Sequence, residues 1–186
     1  LKRLVKALED NSTVVDVYLD GNSITDGGVE LVAELLESST TLQQLSLYHN
    51  SVTDVGAERL AKALSKTSLS LLDLRENAVA DDGATRFAEA LEKGSRLRFL
   101  LLKDNQIGDK GAGRLAEALK FCGKDSPLQQ LDVESNKITA AGSMMLREAK
   151  EQVKKEIQFG YQKSKVREQH QGVLDSSMKD GVFAAR

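Results

Sequence analysis

The sequence is poor in the residues by which enzymes and secreted modules are usually recognised. Its single cysteine, Cys122, excludes a disulfide framework and a cysteine-built zinc cluster. No His or second Cys stands beside it, so it reads as a free thiol. The two histidines, His49 and His170, are not in metal-ligand spacing, and no metal or cofactor is expected. No Ser/His/Asp or Cys/His constellation is apparent, so no catalytic residues are assigned and the chain is not expected to be an enzyme. Lys+Arg is 26 and Asp+Glu 28, a net charge of −2, which lacks the basic excess of a nucleic-acid binder. There is no long apolar run and no signal peptide, so no membrane insertion is expected. The scarcity of cysteine favours an intracellular, cytoplasmic protein, where the sequon Asn11-Ser12-Thr13 would stay unmodified. Tryptophan is absent, aromatics are 4%, and one Pro stands against 14 Gly. At 40% hydrophobic and 29% charged, the 186 residues are nevertheless globular in character.

What the chain does contain is a repeat. Asn22, Asn50, Asn77, Asn105 and Asn136 follow one another at intervals of 28, 27, 28 and 31. Three residues before each stands Leu19, Leu47, Leu74, Leu102 or Val133, and five before stands Val17, Leu45, Leu72, Leu100 or Leu131. Six residues after each stands a glycine: Gly28, Gly56, Gly83, Gly111 or Gly142. Before the Asn the apolar period is two, which is a strand; after it, Ala57, Leu60, Ala61 and Leu64 follow a helical period. Each unit therefore reads as strand, loop and helix. Stacked units would place the strands in one parallel sheet with the helices on the other side. The Asn should hydrogen-bond backbone groups of its own and the neighbouring loop. Asp26, Asp54, Asp81 and Asp109 suit an N-cap or a first-turn acid. The glycine column should let helix and loop backbones approach closely.

The pattern L-x-x-L-x-L-x-x-N-x-I-x-D-x-G-A-x-x-L-A-x-x-L resembles the leucine-rich repeats. Within them it is similar to the ribonuclease-inhibitor-like class, found also in Ran GTPase-activating proteins and NOD-like receptors. The resemblance covers residues 13–149 and implies an α/β fold: a curved right-handed βα horseshoe, with a parallel sheet on the concave face and helices on the convex face. Ribonuclease inhibitor itself would bring many cysteines and concave tryptophans, which this chain lacks.

The ends depart from the repeat. Residues 1–12 match the second half of a repeat: Leu4-Val5-Lys6-Ala7-Leu8 aligns with Leu60-Ala61-Lys62-Ala63-Leu64. Because the chain opens in mid-repeat and on Leu1, further repeats or a covering partner are expected before it. In the last repeat Ala149, Val153 and Ile157 continue a helical spacing, so 150–170 is expected to be a helical extension and 171–186 an irregular tail. Residues 150–186 hold eight Lys+Arg against five Asp+Glu, leaving the array acidic. The basic helix 150–170 would either cap the solenoid or dock on a partner. The longer last interval falls in the loop from Phe121 to Pro127, a tolerated insertion. Gly111-Ala112-Gly113-Arg114-Leu115-Ala116 imitates a dinucleotide fingerprint, but Gly111 and Ala116 are ordinary repeat columns.

The fold does not dictate the outward positions of the strands, so these carry the functional information. Leu71, Phe99 and Leu101 come together there as an apolar cluster, with Tyr48, His49, Arg75 and Lys103 around it and Tyr18 on the first strand. An apolar centre with an aromatic and arginine rim is the composition of a protein-binding hot spot. The expectation is a non-catalytic interaction module, a scaffold or recognition element, binding a protein partner through the concave sheet. The alternatives are a structural subunit of a large assembly, a regulator resembling Ran GTPase-activating proteins, and the sensing repeats of a NOD-like receptor. Ran GTPase-activating proteins end in a strongly acidic segment, which the basic tail here does not match.

Overall fold

Five repeats of the same βα unit lie side by side in a computed structural model that describes residues 1–153 and 158–159. The strands are β1 (Asp16–Tyr18), β2 (Gln44–Ser46), β3 (Leu71–Asp73), β4 (Phe99–Leu101), β5 (Gln130–Asp132) and β6 (Gln158–Phe159). They form one parallel sheet in sequence order. The helices are α1 (Lys2–Leu8), α2 (Asp26–Ser38), α3 (Asp54–Leu64), α4 (Asp81–Glu92), α5 (Asp109–Cys122) and α6 (Ala140–Val153), and each packs on the next. The architecture is the α/β horseshoe-like solenoid.

Alternation decides which side chains enter the core. Leu45, Leu72, Leu100 and Leu131 point inward from the strand centres and meet Leu60, Leu115, Ala88 and Phe87 from the helices, all fully or nearly fully buried. Among the described residues Phe87 is the only ring in this interior. Filling the layer with Leu, Val, Ile and Ala explains the low aromatic content, because each repeat leaves only one side-chain layer between strand and helix.

Two polar ladders tie the repeats together where no regular sheet or helix can. The first is the Asn column. Asn105 donates to the carbonyls of Leu74 (2.8 Å) in the preceding repeat and Leu102 (3.1 Å) in its own, and accepts from Val79 N (2.9 Å). Asn50, Asn77 and Asn136 reach back in the same way, to Leu19, Leu47 and Leu102. The Asn22 side chain donates to the Asp20 carbonyl in its own loop, while its backbone N–H donates to Asn50 Oδ1 of the next repeat. Just before each Asn the backbone is left-handed, at Gly21, His49, Glu76, Asp104 and Ser135, with φ between 53° and 65°. Four of these five are not glycine, at a cost of about 1–2 kcal/mol each. Asp104 is exposed. Asp104→Gly should therefore raise stability by about 0.5–1 kcal/mol, once the greater freedom of glycine in the unfolded chain is subtracted. An unchanged or lower midpoint in urea denaturation would contradict this.

The second ladder is made of carboxylates. Asp26, Asp54, Asp81 and Asp109 are first-turn acids of their own helices, but each also caps the helix of the next repeat. The Asp81 Oδ1 accepts from Gly108 N (2.7 Å) and Gly111 N (2.8 Å). Asp54 accepts likewise from Ala80 N and Gly83 N, and Asp26 from Thr53 N and Gly56 N. Two otherwise unpaired donors at each helix start thus meet a negative charge. The glycine column follows from this. A Cβ at Gly111 would stand 2.7 Å from the Asp81 Oδ1, and one at Gly142 2.5 Å from the Asp109 Oδ1. The missing side chain makes room chiefly for the carboxylate of the preceding repeat.

The C-terminal end differs from the expected continuous helix over 150–170. Helix α6 ends at Val153, and Gln158–Phe159 pairs with Gln130 and Leu131 as β6. The spacing of Ala149 and Val153 serves burial of α6, which packs on α5 of the preceding repeat. The rest of the expected extension, and the tail 171–186, lie outside the described residues.

Candidate partner-binding surface

Residues at alternate strand positions turn away from the core, and strand register lines them up. Asp16, Gln44, Leu71, Phe99 and Gln130 form one outward row, and Tyr18, Ser46, Asp73, Leu101 and Asp132 the next. Two residues further on stand Asp20, Tyr48, Arg75, Lys103 and Glu134. The fold brings Tyr18, Tyr48, Leu71, Arg75, Phe99, Leu101 and Lys103 to one face. His49 lies just past β2 in the left-handed loop position and is exposed.

The expected open apolar centre is corrected by burial. Leu71 is 3% exposed and Leu101 1%, and only Phe99 of the three is partly accessible. Leu101 is flanked across the ladder by Asp73 and Asp132, and Leu71 by Gln44 and Phe99. Strands lie about 4.8 Å apart, and on the inside of a curve side-chain tips converge further. The leucines are therefore the floor of the face. The half-buried Tyr48, Arg75, Phe99 and Lys103 are its accessible part.

That accessible part is held in place by mutual contacts. The Tyr48 phenol donates to Glu76 Oε1 at 2.7 Å, and His49 Nδ1 lies 2.9 Å from the other Glu76 oxygen. The Arg75 guanidinium sits 5.3 Å from the Tyr48 ring centroid and bonds the buried Asp73 carboxylate, with Nε 2.9 Å from Oδ1. Arg98 stands 5.6 Å from the Phe99 ring centroid, and Lys103 Nζ is 3.2 Å from Glu134. The Ser46 hydroxyl donates to Asp20. Side chains ordered in advance lose less entropy on binding.

The face is acidic, a property that attention to its apolar residues missed. Asp73 and Asp132 are buried in the central row beside the single guanidinium of Arg75. Burial pushes the Asp132 carboxyl above its ordinary value, as it does that of Asp16. Burial, with the nearby Asp16 and Asp20 charges, lifts the Tyr18 phenol to about 12. Gln130 Oε1 and Asp16 Oδ1 are buried acceptors without a hydrogen-bond partner among the described residues. The carboxylates in alternate strands of the central row carried this signal in the sequence.

A raised carboxyl costs stability once both states ionise. Its penalty is absent below the ordinary value of 3.8, grows as pH rises through the folded-state value, and is complete at neutrality. Asp132→Asn should accordingly raise the melting temperature at pH 7 and leave it unchanged well below pH 3.8. An Asn variant less stable at pH 7 would show that the ionised group is compensated.

The opposite, helical face is laced with ion pairs. Arg59 bridges Glu30 and Glu37 of the preceding helix, each at 2.7 Å, and Arg114 joins Glu92 to Glu117. Exposed pairs of this kind contribute little individually, and their partners are mutually occupied. Among the described residues no group of three or more His, Cys, Asp or Glu could hold a metal ion, and no helix is long and apolar enough to cross a membrane.

Comparison with known proteins agrees with the architecture. A family described as Leucine Rich repeat matches residues 10–33, 38–61, 65–88, 97–116 and 124–146, together more than half the chain. No curated protein sequence matches. Among solved structures, the chain is similar to one titled Leiomodin-1 Actin-Binding Site 2, with a TM-score of 0.68 and 17% identity over 96% of both chains. It is also similar to the tropomodulin C-terminal domain of Caenorhabditis elegans, with a TM-score of 0.65 and 14% identity over 92% of this chain and 98% of that one. At these identities the likeness is one of fold. With its five matched repeats and the sheet they build, the chain belongs to the leucine-rich repeat family.

Proposed function

We propose that this chain is a non-catalytic module that binds a protein partner through its concave sheet. The observation that carries the reading is one face on which Tyr48, Arg75, Phe99 and Lys103 stand half-exposed over a floor of Leu71 and Leu101. Aromatic and arginine side chains of this kind anchor interfaces at low entropic cost. Phe99→Ala should weaken partner binding by about 1–3 kcal/mol with a small change in melting temperature. Lys103→Ala should weaken it less, because a rim charge is already paired with Glu134. A partner that binds both variants at full affinity would remove the concave face from the account.

A second, narrower reading is favoured by the likeness to the leiomodin-1 actin-binding site, which extends over 96% of this chain. Actin is therefore the first protein to test, by co-sedimentation with filaments and by titration of labelled monomer. Binding that Phe99→Ala abolishes would unite the two readings. Failure to bind either form would exclude actin and leave the module to another partner.

A further inference from the structure

The two edges of the solenoid differ in sign. The chain enters each strand from the end of a helix, so helix C-termini and strand starts share one edge. Along it, residues 65–70, 92–98 and 120–129 hold Lys66, Lys93, Arg96, Arg98, Lys120 and Lys124 against Glu92 and Asp125. The opposite edge, residues 20–26, 48–54, 76–82 and 104–110, holds eight Asp+Glu against Lys110. Four of those acids form the capping ladder and so serve the fold. The cations have no comparable task. All six are exposed, and Arg98 alone is engaged, by the Phe99 ring and by Gln129. The other five form no ion pair among the described residues, whereas Arg59, Arg86 and Arg114 on the helical face are all paired. Glu92 is taken up by Arg114. Like charges gathered on one edge repel, a cost that an anionic occupant relieves.

The same edge carries an apolar anchor. Phe121 is 74% exposed, the most accessible large apolar side chain among the described residues. It stands at the end of α5, next in the chain to Lys120 and just before the turn Gly123–Asp125. Beside it opens a groove of about 430 Å³ whose described lining is Lys120, Gly123, Lys124, Gln152 and Val153. A single exposed ring has little meaning alone, but a ring flanked by unpaired cations at a groove has the composition of an interface centre. Packed helices lie about 8–10 Å apart, so the cations from Lys66 to Lys124 run over about 20 Å across three repeats. About six residues of extended chain cover that length. A groove beside the ring suits a segment whose side chain enters it better than it suits a flat lipid surface.

We infer that this edge binds an acidic segment of a partner protein, its carboxylates meeting Lys66, Lys93, Arg96, Lys120 and Lys124 and an apolar residue meeting Phe121 and the groove. It is a second surface, separate from the concave sheet and opposite to it in sign.

The test titrates the full chain with a fluorescein-labelled peptide whose two central residues are leucine and whose others are glutamate. Binding should shift the amide signals of Lys93, Arg96, Lys120 and Lys124 and leave those of Leu45, Leu72 and Leu100 in the strands unmoved. Lys93→Glu, Lys120→Glu and Lys124→Glu together should lower affinity about tenfold or more. Phe121→Ala should lower it about fivefold with the melting temperature unchanged. Phe99→Ala should have no effect, which keeps this result separate from that of the concave face. No binding, binding indifferent to charge reversal, or shifts confined to the strands would overturn the inference. So would a chain that binds phosphatidylserine vesicles through these cations and ignores the peptide, which would assign the edge to lipid. Self-association abolished by the charge reversal, without peptide binding, would overturn it in favour of a second copy's acidic edge.

Discussion

Asp81→Ala should lower the free energy of unfolding by about 2–4 kcal/mol, a large effect for a partly exposed side chain. The reason lies in the next repeat. Gly108 N and Gly111 N stand at the start of α5 and have no intrahelical acceptor, and the Asp81 Oδ1 serves both, at 2.7 and 2.8 Å. Removing it strands two donors and takes away a favourable charge at a helix N-terminus. Gly111→Ala should cost a similar amount for a different reason. Its Cβ would lie 2.7 Å from that same oxygen, 2.9 Å from Ile107 Cγ2 and 3.0 Å from Ala84 Cβ. In the double variant the first of these clashes disappears. The double loss should therefore fall short of the summed single losses by about 1 kcal/mol or more, measured as a thermodynamic cycle by chemical denaturation. Strict additivity would mean that glycine is required for some reason other than the carboxylate.

Asn105→Ala is expected to cost about 3 kcal/mol. Asn105 is 8% exposed and satisfies the carbonyls of Leu74, Leu102 and Lys103 and the N–H of Val79. Alanine would leave these groups buried without a partner, in a loop that has no ladder to replace them. By contrast Asn22, whose side chain among the described residues bonds within its own loop, should tolerate the same change with a loss of about 1 kcal/mol or less. The comparison separates a ladder that joins repeats from a residue that is merely good in turns. Similar losses at the two positions in urea titrations would contradict it.

Both effects reside in features that one sequence displays unequally. The strand-loop-helix period, the inward leucines and the Asn column were legible because each is a spacing within one repeat. The carboxylate ladder was half legible. The acid was visible, but its target lies 27 to 30 residues further along, and only the stacking offset between helices shows that Asp81 faces Gly111. The left-handed column was hidden, because Gly21, His49, Glu76, Asp104 and Ser135 share no chemistry. Strand β6 was hidden for a further reason. The helical spacing that runs through Ala149 and Val153 points on past the end of α6, and a two-residue strand has no period of its own.

The candidate surface was legible as a position and less so as an environment. Alternation placed Phe99, Leu101 and Leu71 outward. The depth of Leu101 depends on side chains of neighbouring strands, which become adjacent only through register. The acidity of the face likewise emerges when Asp73 and Asp132 are seen two strands apart and buried beside Arg75. The shift is from an apolar patch to an apolar floor under polar walls. This favours a partner segment that brings positive charge as well as apolar side chains.

The most direct measurement is amide hydrogen exchange of the chain with and without a saturating bound partner, actin first among the proteins to try. The account predicts new protection along β2, β3 and β4 and at His49 and Glu76, with exchange in α3, α4 and α5 unaltered. Protection confined to the helical face, with the strands exchanging as before, would contradict it.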